Sequence, residues 1–149
     1  MRYVLLTSGL ILIVAASGCN SGPKKVLLKG KLTNNGKPVL PERRGGLTVV
    51  FSPDPATGNT YPAGFNAADD TYDVPGPDRR GIPMGKYKVT LSMMTPTTTA
   101  DGKDLPPATA HSLQQQAEQF NTKYSGTSTP IEIEVTGPEL DIDLAKFPK

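Results

Sequence analysis

Alternation of apolar and polar residues is the dominant pattern of the chain after residue 25. It is clearest over residues 86–94, where every second side chain is apolar and those between are lysine, threonine or serine. This period of two is typical of a β-strand with one buried face. The pattern predicts a core strand over Lys86–Met94, with Tyr87, Val89 and Leu91 buried and Lys86 and Lys88 in water.

Shorter segments of the same kind, bounded by proline, glycine and asparagine, indicate further strands. They are predicted at Val26–Leu32, Lys37–Leu40, Leu47–Ser52, Tyr61–Asn66 and Thr71–Val74. Asn34-Asn35-Gly36 predicts a tight turn between the first two, because Asn and Gly tolerate positive φ.

The end of the chain alternates equally well. Apolar residues at 131, 133 and 135 are separated by glutamates. Those at 140, 142 and 144 are separated by aspartates. Two strands are therefore predicted, and Thr136-Gly137-Pro138 is predicted to join them as a hairpin.

Residues 95–129 break the strand pattern. Thr95–Pro107 is polar and rich in proline, which predicts a loop, and Ser112–Phe120 contains good helix formers. A loop of this length in a small domain is either functional or mobile. Because core strands are predicted on both sides, residues 97–128 are expected to be dispensable for folding.

The N-terminus has the pattern of an export signal. Arg2 precedes an apolar stretch over residues 4–16, which at about 1.5 Å per residue is too short for the ~30 Å membrane core. Ala16-Ser17-Gly18-Cys19 resembles the bacterial lipobox, so residues 1–18 are predicted as a signal peptide and Cys19 as the lipidated residue. A general secretory peptidase site and a free thiol are the alternatives.

Charge and composition restrict the class of protein to which the chain can belong. Removal of residues 1–18 takes Arg2 from the 16 basic residues and leaves 131 residues with 15 basic and 14 acidic side chains. This balance gives no electrostatic footprint for nucleic acid, and there is no basic stripe to bind a membrane surface by charge. With one cysteine there is no intramolecular disulfide, while 15 prolines and 15 glycines favour an all-β chain of one domain.

The order of the motifs resembles that of a known family. Gly30-Lys31-Leu32, Asn35-Gly36-Lys37-Pro38-Val39 and Leu47-Thr48-Val49-Val50-Phe51 are similar to the opening of carboxypeptidase regulatory-like domains, and Ile82-Pro83-Met84-Gly85-Lys86-Tyr87-Lys88-Val89 to a later segment. The segment 123–131 resembles the tail of small planctomycete lipoproteins of this type. At Ala68-Asp69-Asp70-Thr71-Tyr72 the usual glycine of the family is missing.

The resemblance implies a fold and a division of the chain. We expect an all-β, seven-stranded Ig-like or transthyretin-like sandwich with one long loop-helix insert. The expected parts are the signal peptide at 1–18, the lipidated cysteine and a spacer at 19–24, and the regulatory-like domain at 25–149.

Candidate chemistry is sparse. His111 is the one histidine, and no G-x-S-x-G elbow accompanies it, so a solvated helix residue is the favoured interpretation over a catalytic triad. The aspartates Asp69, Asp70, Asp73 and Asp78 lack calcium-loop spacing and favour turns, and no nucleotide-binding loop is present. Arg43 and Arg44 are interpreted as a solvated loop tip. Tyr61, Phe65 and Tyr72 are interpreted as core or edge residues rather than a binding strip.

Two functions from different classes follow. The first is a non-catalytic, lipid-anchored module that binds an envelope protein or a glycan, with no cofactor, no metal and no nucleic acid. The second is a small envelope hydrolase whose active site is covered by residues 95–129. Asn20 after the cysteine favours the outer membrane where the enterobacterial sorting rule applies.

Overall fold

The computed structural model describes residues 22–40, 45–99, 102–127 and 129–147. The predicted signal peptide at 1–18, the predicted lipidation site at Cys19 and the loop tip at Arg43 and Arg44 lie outside the described residues.

The described residues are mostly β, with one α-helix, which confirms the all-β prediction at the level of fold class. In chain order the elements are β1 (Lys25–Val26), β2 (Leu28–Asn34), β3 (Lys37–Pro38), β4 (Gly46–Pro53), β5 (Tyr61–Asn66), β6 (Thr71–Val74), β7 (Ile82–Pro83), β8 (Gly85–Met94), α1 (Pro107–Tyr124), β9 (Glu132–Val135) and β10 (Ile142–Asp143). Short 3-10 turns occur at Pro77–Arg79 and Leu144–Lys146.

The longest strand has the predicted register. In β8, Tyr87, Val89, Leu91 and Met93 are buried, while Lys86 is exposed and Lys88 is partly exposed. Strands β5 and β6 have the predicted bounds. Period-two alternation was therefore sufficient to orient these segments.

The return strand after the first turn is shorter than predicted. Asn35 and Gly36 take positive φ, as the turn requires, and β3 pairs with β2 through Lys37 and Pro38 alone. The chain then bends, and Leu40 is buried in the core at 2 % exposure instead of continuing the strand.

The strands form one continuous path in the order β10-β2-β6-β5-β4-β8-β9, with β3 beside β2 and a separate β1–β7 pair. All pairs are antiparallel except β10 with β2. The first half of β5 pairs with β4 and its second half pairs with β6. β5 is therefore the corner at which the sheet turns from one side of the core to the other.

The predicted hairpin between the last two strands is wrong. β9 pairs with β8, whereas β10 runs parallel to β2 on the other side of the path. Alternation identified both strands, but it carries no information about which strand edge each one joins.

The short connection between β9 and β10 requires the sheet to curl. Val135 pairs with Gly85 of β8, and only three residues later the Pro138 carbonyl accepts a 2.9 Å hydrogen bond from the Lys29 amide of β2. Three Cα steps reach at most about 11 Å. In a flat sheet β9 and β2 would lie five strand spacings, about 24 Å, apart. The path therefore curls into the half-barrel that the structure adopts.

The core fills the inside of this curled sheet. Its fully buried members include large side chains from most strands: Tyr72, Phe51, Leu28, Leu32, Leu40, Ile82, Leu91, Ile131, Ile142 and Leu144. Three rings meet at its centre: the Phe51 ring lies 5.6 Å from that of Tyr72, tilted by 34°, and 6.2 Å from that of Tyr87 in an edge-to-face arrangement.

The helix belongs to this core. α1 extends from 107 to 124, beyond the predicted Ser112–Phe120, and buries Ala117 and Tyr124 at 5 % exposure each. Phe120 packs against the same cluster, with its ring 4.9 Å from that of Tyr124. The expectation that residues 97–128 are dispensable for folding is therefore wrong, because their removal would uncover apolar surface.

Candidate functional site

The histidine lies on the outer surface of the helix. His111 is exposed, and its Nε2 lies 3.1 Å from Nε2 of Gln115, one helical turn later. The partner is an amide and not a carboxylate or a hydroxyl, so this pair is not the arrangement that activates a nucleophile. The interpretation of His111 as a solvated helix residue agrees with its position.

The aspartates of the β5–β6 turn have structural roles. One oxygen of Asp69 accepts hydrogen bonds from the amide and the hydroxyl of Thr71, at 3.3 and 2.7 Å. Asp70 adopts a left-handed φ of 57° in the same turn, which Asp tolerates better than most residues. Within the described ranges, no group of three or more His, Cys, Asp or Glu side chains is placed to hold a metal ion.

The three aromatic residues considered as a binding strip point into the core. Tyr61 and Tyr72 are buried, and Phe65 is partly buried against the same cluster. The Tyr61 ring contacts Tyr87 at 6.1 Å between centroids. The core interpretation is confirmed for all three.

Two tyrosine hydroxyls anchor backbone segments. The Tyr72 hydroxyl donates a 2.5 Å hydrogen bond to the Leu140 carbonyl, and that of Tyr87 donates one of 2.7 Å to the Pro83 carbonyl. Burial raises the pKa of Tyr72 well above its usual value, and the negative charge of Asp141 adds to this shift. Burial, with a contribution from Tyr61, raises the pKa of Tyr87 to about 12. Both hydroxyls therefore stay neutral hydrogen-bond donors.

A close backbone crossing surrounds the Tyr72 hydroxyl. A Cβ added to Gly30 would lie 1.8 Å from the Leu140 carbonyl oxygen, so glycine alone allows this approach. A carboxylate oxygen of Asp141 accepts the Lys31 amide proton at 2.8 Å, and one of Asp143 accepts that of Asn35 at 2.7 Å. The acidic residues of the last strand thus fasten the end of the chain to β2, a role that alternation alone did not reveal.

A groove of about 380 Å³ runs over this crossing. Its lining combines both signs of charge with a tyrosine: Lys29, Gly30, Lys31, Asn66, Thr71, Tyr72, Asp73, Glu139 and Asp141. Lys29 and Glu139 form a 3.4 Å ion pair that is largely exposed. Two lysines face three carboxylates, of which Glu139 is paired with Lys29 and Asp141 accepts the Lys31 amide proton. The tyrosine hydroxyl already has an acceptor, so most of the polar groups of the groove are engaged within the fold.

Two further parts of the surface have a distinctive composition, and they lie at opposite ends of β8. At the end beginning with Gly85, called here the β1 end, lie β1, residues 75–81 and residues 136–138. At the end finishing with Met94, called the helix end, lie α1 and the loop that precedes it. Nine steps of about 3.4 Å separate the two ends by about 30 Å.

The helix is fixed to β8 by one carboxamide. The Asn121 side-chain oxygen accepts the Met93 amide proton at 2.7 Å, and its nitrogen donates to the Met93 carbonyl at 3.0 Å. β9 covers β8 only from Gly85 to Lys88, so this amide takes the place that a neighbouring strand would occupy. The outer face of α1 is thereby held toward solvent.

That outer face is polar and rich in amides. Its exposed side chains include His111, Ser112, Gln114, Gln115, Gln116, Glu118 and Gln119. Each glutamine offers both hydrogen-bond donors and an acceptor. Such a surface can contact polar protein or sugar groups.

No helix among the described residues is long and apolar enough to cross a membrane. No protein-family model matches the chain, and no curated protein or solved structure is a significant match.

Proposed function

We propose that this protein is a lipoprotein of the cell envelope, held on a membrane through lipid on Cys19. In this proposal the rest of the chain is a non-catalytic transthyretin-like β-sandwich that serves as a binding module. The partner is an envelope protein or a glycan, recognised by the amide-rich face of α1.

The observation that carries the proposal is the separation of the two ends of β8. The Lys24 carbonyl accepts a 3.0 Å hydrogen bond from the Met84 amide, so the chain joins the fold at the β1 end. Five Cα steps lead from Cys19 to Lys24 and span at most about 18 Å. A membrane anchor at Cys19 would therefore hold the β1 end near the lipid and direct the helix end outward.

The fold supports the sandwich assignment in its general plan. Seven strands lie on the continuous path, and β5 divides its pairing between β4 and β6, as a strand at the corner of a sandwich does. The resemblance of the motif order to carboxypeptidase regulatory-like domains points the same way. The described part of the chain supplies no candidate nucleophile paired with a base, which favours binding over the hydrolase alternative.

The anchor is tested by metabolic labelling with a fatty acid in intact cells. Wild-type protein should take up the label, and Cys19→Ser should not, because the acceptor thiol is gone. Each buried methylene contributes about 0.8 kcal/mol, so two or three acyl chains anchor the protein stably. Equal labelling of both proteins would rule out the lipoprotein assignment.

The binding surface is tested by crosslinking on intact cells. Gln115→Arg with Gln119→Arg should remove the crosslinked partner and leave the melting temperature unchanged, since both side chains are exposed. Thr57→Arg with Asn59→Arg adds the same charge in the exposed loop after β4 and should leave the crosslinks intact. A hydrolytic activity of the wild type that disappeared in His111→Ala would instead support the hydrolase.

A further inference from the structure

Four basic residues that are distant in sequence meet at the β1 end. Lys24 and Lys25 precede β2, whereas Arg79 and Arg80 lie more than fifty residues later, before β7. The β1–β7 pair brings them together, with Lys25 opposite Pro83 and Val26 opposite Ile82. All four are exposed, and none forms an ion pair within the described residues.

The loop carrying the arginines is seated firmly on β1. A Cβ on Gly81 would lie 2.3 Å from the Val26 carbonyl oxygen, so the two backbones are in direct contact. The Gly81 amide donates to Pro75 at 2.8 Å, and that of Arg80 donates to Pro77 at 3.1 Å. Asp78 and Arg79 both take left-handed φ values, of 55° and 57°, a conformation that Asp tolerates but that is uncommon for arginine.

An apolar side chain lies within this basic surface. Leu27 is 58 % exposed, which is unusual for a leucine in this fold, where the other described leucines are buried or partly buried. It lines a groove of about 450 Å³ together with Arg79 and Pro75. The basic patch is defined here as Lys24, Lys25, Leu27, Arg79 and Arg80.

We propose that the basic patch binds the headgroups of anionic phospholipids, with Leu27 entering the interface between headgroups and acyl chains. The inference rests on the proposed lipid anchor, which would bring this end of the fold to the membrane. The four cations of the patch face two carboxylates, that of Asp78 in the loop and that of Asp73 in the groove, so the patch keeps the net positive charge that an anionic surface attracts. A cationic surface with an exposed apolar side chain is the composition typical of interfacial contact.

The consequence of this contact is orientation. Acyl chains alone already hold a lipoprotein on its membrane, but a single tether leaves the domain free to rotate. A patch on the tethered end aligns β8 with the membrane normal, so the end of β8 to which α1 is bonded lies about 30 Å from the lipid and the helix is presented in one direction.

The experiment uses the chain from Asn20 onward, which lacks Cys19 and therefore any acyl chain. Every core residue lies between Leu28 and Leu144, so this chain retains the complete core. Its binding is measured by co-sedimentation with vesicles of phosphatidylglycerol and phosphatidylethanolamine, and with vesicles of phosphatidylcholine alone. We expect binding to the anionic vesicles only, and we expect this binding to weaken as salt is raised. The reason is that salt screens the attraction between charges, over a length of about 8 Å at physiological ionic strength.

Two variants of equal charge separate the patch from net charge. Arg79→Gln with Arg80→Gln should bind anionic vesicles about thirtyfold more weakly, at roughly fivefold per cation near the surface. Lys37→Gln with Lys146→Gln removes the same charge beyond the opposite end of β2, about 20 Å away, and should bind as the wild type does. Leu27→Ser should weaken binding without changing its salt dependence.

Failure of the proposal has distinct signatures. Equal binding to neutral and anionic vesicles, no binding to either, or equal losses in the two charge variants would each overturn it. Loss of a crosslinked protein in the Arg79→Gln, Arg80→Gln variant with unchanged vesicle binding would assign the patch to a protein instead. Cys19 is absent from the vesicle experiment, so its outcome is independent of the fatty-acid labelling that tests the anchor.

Discussion

The two ends of β8 are built from different kinds of contact. At the β1 end, backbone meets backbone: Gly30 lies under the Leu140 carbonyl, and Gly81 lies under that of Val26. At the helix end, α1 is held by side chains, chiefly the Asn121 carboxamide and the buried ring of Tyr124.

This difference has consequences for position and for tolerance to substitution. Backbone contacts without intervening side chains restrict the relative position of two segments to a narrow range of distances. They accept no added Cβ at the point of contact. A helix held by a few buried residues leaves most of its surface free to change. The β1 end is therefore suited to a fixed orientation, and the helix end to a variable recognition surface.

The largest expected effect comes from the strand that both ends share. Val89 is fully buried in the middle of β8, and Val89→Asp places a charge in the core with no partner. We expect a loss of more than about 4 kcal/mol and an unfolded domain. Lys88→Asp on the opposite face replaces the exposed 3.6 Å pair with Glu132 by two like charges opposite each other in the β8–β9 ladder, and should cost about 1 kcal/mol. Similar melting temperatures for the two variants would show that the register is wrong.

A smaller effect is expected at the β1 end. Gly30→Ala forces the Leu140 carbonyl away from β2, since the new Cβ would otherwise lie 1.8 Å from its oxygen. A loss of about 3 kcal/mol is expected, the upper range for overpacking. Gly137→Ala, in the same crossing but with no atom within 4 Å of its Cβ, is the control and should be nearly neutral. Urea denaturation measures both, and equal stability would contradict the close crossing.

The smallest of these effects is expected at the helix end. Asn121→Ala removes both hydrogen bonds to Met93, so the amide and the carbonyl of Met93 lose these partners. The expected cost is about 2 kcal/mol, with faster hydrogen exchange confined to α1 and the end of β8. Gln114→Ala loses only an exposed 3.0 Å contact with Glu118 and should change neither quantity. Exchange spread evenly over the molecule would mean that the helix is not a separate unit.

Several parts of the fold were predictable from local patterns. β5 and β6 have the predicted bounds, and the buried face of β8 follows from its alternation. The Asn35-Gly36 turn follows from residues that tolerate positive φ. The helix was placed correctly but too short. It begins at Pro107, and its C-terminal end depends on packing of Tyr124 that propensity does not register.

The two candidate surfaces were harder to predict from the sequence. The amide-rich face of α1 was visible as Gln114-Gln115-Gln116 once a helix was assumed, although nothing local marked it as a recognition surface. The basic patch was invisible, since its lysines and arginines are separated by more than fifty residues and no basic run exists. The aspartates 141 and 143 had no signal for their bonds to β2.

The sequence by itself determined most of the strand segments, the buried face of β8 and that the chain is mostly β, because these properties depend on neighbouring residues and a fixed period. The tertiary structure alone decided that β9 joins β8, that β10 runs parallel to β2 and that the helix completes the core. Pairing partners are chosen by contacts between distant residues and by the closure of the sheet. The same long-range pairing of β1 with β7 assembles the basic patch, so the charge of that surface is a property of the fold rather than of any one segment.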